Sequence, residues 1–141
     1  MHTKRSETES IIRCNWVGQH KDYKAYHDDE WGRPVTGDSA LFERICLEGF
    51  QAGLSWLTIL RKRESFRSAF ETFEPSRVAE FDQKKVESLM NNVQIVRNRA
   101  KILSTVNNAC LLYTYYASDE EDSVYLGGRR IIKKKRWGGG R

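Results

Sequence analysis

No apolar run in this 141-residue chain comes near the ~20 residues a helix needs to cross a bilayer, so no membrane partner is expected. The three cysteines, Cys14, Cys46 and Cys110, lie far apart. That spacing makes no disulfide framework and favours a reducing compartment. The N-terminus, MHTKRSETES, is polar and has no apolar h-region, so no secretory signal is read and an intracellular location, cytoplasmic or nuclear, is expected. Strand-like alternation of any length is missing too, which leaves an all-α fold class. A basic surface is missing from most of the chain despite the net charge of +5: seven of the 24 Lys and Arg lie in residues 127–141, leaving 17 against 19 acidic groups, or −2. The positive charge belongs to the tail, and by itself it does not make the body a nucleic-acid binder.

What is present argues for one folded domain. Four Trp, six Tyr and six Phe sit in a chain with 39% apolar residues, which is enough for a small core. The stretch Ser39–Phe70 organises the rest. Leu41, Phe42, Ile45, Leu47 and Phe50 have helical spacing, with Asp38 or Ser39 as the expected N-cap. Gly49, Ala52 and Gly53 then thin the chain into a joint where the helix can end or backbones approach closely. A second helix follows, carrying Leu54, Trp56, Leu57, Ile59, Leu60, Phe66 and Phe70 inward and Arg61 to Glu64 and Arg67 mostly outward. Glu48 stands in this apolar frame between Leu47 and Gly49. It is either a helix-boundary residue facing water or a carboxylate put to use, because burying one unpaired is costly.

Upstream, residues 1–12 read as a flexible leader. The segment RCNWVGQHKDYKAYHDDEWG then gathers chemistry-bearing side chains. Cys14 and His27 can each ligate zinc, but a structural zinc site needs four ligands, and a buried thiol beside a hydrogen-bonded imidazole is the ordinary alternative. Downstream, a turn at Glu74-Pro75-Ser76 precedes a short helix, Arg77 to Phe81. Asp82 caps a further helix through Met90, which Asn91 and Asn92 break. From Ile95 a longer helix runs to Tyr113, with Arg97, Arg99 and Lys101 at its start. A hairpin followed by a basic helix N-terminus can grip a DNA phosphate through backbone N–H groups and cations; a solvated basic helix end is the alternative. The hairpin turn, Asn92-Val93-Gln94-Ile95, has no glycine for a positive φ, so Asn91 or Asn92 is expected to supply it.

Cys14-Asn-Trp16, the block Tyr23 to Gly32 (YKAYHDDEWG) and above all Leu41 to Trp56 (LFERICLEGFQAGLSW) resemble the DNA-3-methyladenine glycosylase I family. The resemblance runs nearly without gaps from Arg13 to about Ala109. It implies a helix-hairpin-helix glycosylase-like helical domain over 13–117, incomplete at the C-terminus, with a tail over 118–141 that is acidic, then basic and Gly-rich. It also implies base-excision repair: hydrolysis of the N-glycosidic bond of 3-methyladenine in double-stranded alkylated DNA by a monomer. Such a base must be flipped out of the stack. It is cationic, so it suits aromatic faces and a nearby carboxylate. On this resemblance Glu48 is the active-site acid, Trp56 and Tyr26 are stacking walls, and Trp16 and Tyr23 line the pocket. Water is the nucleophile, and the catalytic Asp that related glycosylases place after the hairpin is absent, since the first Asp beyond Lys101 is Asp119.

The resemblance further implies a structural zinc ion with two N-terminal ligands, matched by Cys14 and His27, and a His and Cys near the C-terminal end. No His follows His27, and the last cysteine is Cys110, so half of the zinc site is expected to be missing and zinc to fall below one per chain. The sequence therefore reads as a truncated or altered family member. An inactive remnant or nucleic-acid-binding fragment is the alternative to an active glycosylase.

Overall fold

The computed structural model describes residues 11–119, 125–126 and 129–130, with side chains described through residue 115. The leader expected for 1–12 and the tail expected for 118–141 lie largely outside the described residues. Six α-helices are present among them: α1 (Lys21–Asp29), α2 (Asp38–Gln51), α3 (Trp56–Ala69), α4 (Pro75–Ala79), α5 (Gln83–Met90) and α6 (Arg99–Asp119). The sole strand pairing described joins Tyr125–Leu126 to Arg129–Arg130, so the fold is all-α as expected. The chain divides into two compact units, Met1–Pro34 and Val35–Arg141.

Unit 1 holds a 3-10 turn, Asn15–Val17, followed by α1. No helical signal marks α1 in the sequence, because KDYKAYHDD carries charge on nearly every face. Tyr26 is the residue it buries, and the carbonyl of Tyr26 closes the helix by accepting the N–H groups of Glu30 and Trp31, both at 2.9 Å.

Unit 2 is built on phenylalanine. Phe42, Phe50, Phe66, Phe70 and Phe73 are all fully buried and surround one another. Phe70 stacks on Phe73 at 5.5 Å and meets Phe50 edge-on at 5.6 Å. Cys46, Leu47, Ile59, Ala69, Val78, Val86, Leu89, Ile95, Ile102 and Ala109 complete the core, with α6 lying along α4, α2 and α5. A bidentate ion pair, Arg67 to Glu43 at 2.7 and 2.9 Å, ties α3 to α2. Two expectations for α2 are corrected. Its N-cap is Gly37, at φ 92°, rather than Asp38 or Ser39; the Ser39 hydroxyl instead donates to Glu74 at 2.8 Å. Leu41 and Ile45 face outward, 44% and 58% exposed, because Cys46 and Leu47 take the inward positions with Phe42 and Phe50.

The remaining elements follow their local chemistry. Asp82 caps α5 by accepting the N–H of Lys85 at 2.8 Å. Pro75 starts α4, where its missing N–H is no loss. The turn Glu71–Phe73 runs left-handed through three non-glycine residues, with φ between 52° and 55°. Each such residue costs about 1–2 kcal/mol, and the complete burial of Phe73 offsets this. The hairpin between α5 and α6 solves its glycine deficit differently from expectation. Neither Asn91 nor Asn92 takes a positive φ; the Asn92 side chain accepts the N–H of Gln94 at 2.9 Å, a side-chain mimic of a backbone turn. The α6 helix starts at Arg99, not Ile95, with Asn98 accepting the Lys101 N–H at 3.1 Å.

Candidate base-binding site

In unit 2 the sequence places an acid and an indole on either side of a joint, and the joint is tightly bonded. α2 ends at Gln51, and Ala52 (φ −49°, ψ 118°) with Gly53 (φ 80°) turns the chain. These angles make a type II turn, whose third position needs the positive φ that glycine supplies without strain. The turn closes through the Leu54 N–H to the Gln51 carbonyl at 2.7 Å, and the Gln51 side chain donates back to the Leu54 carbonyl at 2.8 Å. Ser55 then caps α3, accepting the N–H of Thr58 at 3.2 Å. Glu48 therefore stands on the last turn of α2 and Trp56 on the first residue of α3, in a fixed relation.

Glu48 is exposed and Trp56 half-buried against the phenylalanine core. Leu41, Ile45, Glu48 and the C-cap Ala52 follow one another at i, i+4, i+7 and i+11, and all are exposed, while Arg44 and Gln51 flank Glu48 at i−4 and i+3. An exposed carboxylate can attract a cation.

In unit 1 the other predicted residues come together around Trp16. Its ring lies 4.9 Å from Tyr23 and 6.5 Å from Tyr26, with Tyr23 and Tyr26 6.3 Å apart. Two further rings join them: His27, named above only as a zinc ligand, at 5.3 Å, and Trp31, not named as a site residue, at 5.4 Å from Trp16, themselves stacked. Trp16 remains 41% exposed, so the group presents an aromatic face. A polar chain fixes its rim. Arg13 grips Asp28 at 2.6 and 3.0 Å, Asp28 accepts from His27 Nδ1 at 3.0 Å, and the Cys14 backbone N–H donates to His27 Nε2 at 3.4 Å. The Arg13 guanidinium, and then the His27 ring, hold the Asp28 carboxyl below its usual range.

This chain of bonds bears on zinc. With Nδ1 against the Asp28 carboxylate, Nε2 is the nitrogen His27 would offer a metal, and it accepts the Cys14 backbone N–H at 3.4 Å. Among the described residues, however, no group of three or more His, Cys, Asp or Glu converges on one point. Two ligands of four are on hand, and by themselves they do not fit a closed structural site.

The three basic residues expected at the hairpin have different surroundings. Arg97 precedes α6 and is exposed. Arg99 pairs with Glu87 at 2.7 and 2.8 Å. Lys101 turns inward and donates to the backbone carbonyls of Phe50 and Ala52. Sequence reasoning missed these partners because Glu87 and the α2 carbonyls are distant in the chain. A groove of about 480 Å³ lined by Glu71, Arg77, Glu80, Phe81, Asp82 and Lys85 is a separate feature, in which Glu71 pairs with both Arg77 and Lys85.

Comparison with known proteins agrees with the sequence blocks. The chain is 52% identical over 97 residues to DNA-3-methyladenine glycosylase 1 of Escherichia coli, a match covering 69% of this chain and 52% of that protein. It therefore spans about half the length of the curated relatives it matches. A crystal structure of 3-methyladenine DNA glycosylase I superposes with a TM-score of 0.71 at 48% identity, covering 77% of this chain and 58% of the other. A structure of the Staphylococcus aureus enzyme, solved to explain 3-methyladenine recognition, gives 0.70 at 39% identity over 76% of this chain and 57% of the other. The sequence model of the methyladenine glycosylase family matches residues 16–130, most of the chain and past Ala109, so the chain belongs to that family.

Proposed function

We propose that this chain is a base-excision repair hydrolase that cleaves the N-glycosidic bond of 3-methyladenine in double-stranded alkylated DNA, acting as a monomer. The observation that carries the reading is the exposed carboxylate of Glu48 on the last turn of α2, one bonded turn before Trp56, in a member of the methyladenine glycosylase family. Methylation at N3 gives the base a positive charge, so it departs as a neutral purine and needs no strong general acid. What the protein must supply is a place for the flipped base and a negative charge near the developing sugar cation. Glu48 is assigned to that charge and to hydrogen bonding of the base, and Trp56 to stacking. Trp16, Tyr23 and Tyr26 offer aromatic faces of the kind a cationic purine stacks on. Water attacks the sugar carbon, the glycosidic pair leaves with the base, and the water's second proton goes to solvent.

Incubating the purified chain with methylated duplex DNA and measuring free 3-methyladenine tests this reading. Release is expected, and Glu48→Gln is expected to slow it by about 10²-fold or more, the scale of losing one stabilising group of this type. Release that is indifferent to Glu48 would overturn the assignment. A second reading is favoured by the half-length match to the curated relatives: a nucleic-acid-binding module without hydrolysis. Retained binding of methylated duplex with no base release would select it.

A further inference from the structure

Lys101 lies at the start of α6, where a cation is usually read as a phosphate ligand. Its ammonium is instead committed to the protein. Nζ donates to the carbonyl of Phe50 at 2.8 Å and to that of Ala52 at 2.6 Å. Phe50 is in the last turn of α2, whose final carbonyls have no partner within the helix and carry the negative end of its dipole. Ala52 is the C-cap, from which the chain turns through Gly53. One side chain thus holds the backbone on both sides of the point where α2 ends. The bonds are charge-assisted, and stronger than neutral ones. They reach across about fifty residues of sequence, from the hairpin to the turn that separates Glu48 from Trp56.

We infer that Lys101 is a positioning residue: it anchors the Gln51–Leu54 turn to the hairpin and so sets Glu48 relative to Trp56. The functional half of this inference rests on the proposed role of those two residues in binding the base; the structural half does not. The hairpin is fastened to the same framework from its other side, since Lys62 of α3 donates to the Gln94 carbonyl at 3.3 Å. Engagement of DNA at the hairpin would then bear directly on the acid–indole pair rather than through the distant core.

Amide exchange in the full chain tests the anchor without reference to activity. In Lys101→Met the Leu54 amide, which closes the turn, is expected to exchange about tenfold faster or more, while the Phe66 amide inside α3 keeps its rate. Lys84→Met, on the exposed side of α5, removes the same charge and is expected to leave Leu54 unchanged. Lys101→Arg, which keeps the cation and its donors, is expected to recover most of the protection. Unchanged Leu54 exchange in Lys101→Met, or an equal rise at Leu54 and Phe66, overturns the inference. The second readout is quenching of tryptophan fluorescence by free 3-methyladenine. Lys101→Met is expected to weaken it several-fold, with the salt dependence of duplex binding unaltered. A drop of about one in that salt slope with base binding intact would make Lys101 a phosphate ligand and overturn the positioning role. Absence of 3-methyladenine binding by the parent chain would sink the base-binding reading alone, and the Leu54 amide would still decide the anchor.

Discussion

Residues 35–141 close a core of fifteen buried side chains around five phenylalanines, whereas residues 1–34 bury only Val17 and Tyr26 among those described. Unit 1 is ordered instead by edge and face contacts among Trp16, Tyr23, Tyr26, His27 and Trp31, and by the Arg13–Asp28–His27 chain. Volume fixes the larger unit and direction fixes the smaller. A close-packed interior resists any change of shape and fails as a whole when a large side chain is removed. A set of half-exposed rings and ion pairs gives way one contact at a time. The acid of the proposed site stands on the rigid part, as a group that must hold its position against a substrate should.

The largest effect is expected from the centre of the phenylalanine core. Phe70 is fully buried and touches Phe50, Phe66, Phe73 and Phe81. Phe70→Ala is expected to cost about 3–5 kcal/mol, a large part of the 5–15 kcal/mol or so that holds a domain together. Chemical denaturation should show an early, broadened transition in unit 2. A loss under about 1 kcal/mol would break the contrast, because the core would then be no better packed than the aromatic group of unit 1.

Cysteine reactivity sharpens the comparison without mutation. Cys46 is 3% exposed, and burial pushes its thiol up to about 12, with Thr105 opposing the shift. Only the thiolate reacts, so at pH 8 iodoacetamide is expected to label Cys14 and Cys110, both half-buried, and to spare Cys46 until the chain unfolds. The sign for stability follows from the same shift. The folded thiol ionises later than the unfolded one, so the contribution of Cys46 is intact below about pH 9 and declines as pH rises from there toward 12. Mass spectrometry of the labelled chain during a urea titration reads both.

Much of this was visible in the sequence where one force dominates. The α2 and α3 helices follow from apolar spacing, and the turn between them from Gly53, whose φ of 80° suits no other residue so well. Asp82 as a cap is local chemistry, and it is where expected. Three features were not legible. The α1 helix has no apolar period, and its order comes from ring contacts between residues that look like a polar loop. The left-handed Glu71–Phe73 turn has no glycine to announce it and exists because Phe73 must reach the core. The bonds of Lys101 to the Phe50 and Ala52 carbonyls were hidden because a charge at a helix start says nothing about which distant carbonyls it will meet. For the candidate site, motif blocks named the residues, but only the fold shows that Glu48 is exposed at the end of α2.

The smallest effect belongs to unit 1. Asp28 links Arg13 to His27, and Asp28→Asn keeps the shape while removing the charge. Part-exposed ion pairs contribute little, so the melting temperature should move by no more than a degree or two. The local change should be disproportionate to that shift. Without the carboxylate, only the 3.4 Å bond from the Cys14 N–H to Nε2 favours a proton on Nδ1, a weaker constraint than the two together. Nitrogen NMR of the imidazole should then report mixed tautomers, and the ring-shifted resonances of Trp16 and Trp31 should move while those of the Phe42–Phe73 core stay fixed. A melting loss as large as that of Phe70→Ala would mean that the polar chain carries unit 1 much as packing carries unit 2, and the distinction between volume and direction would have to be abandoned.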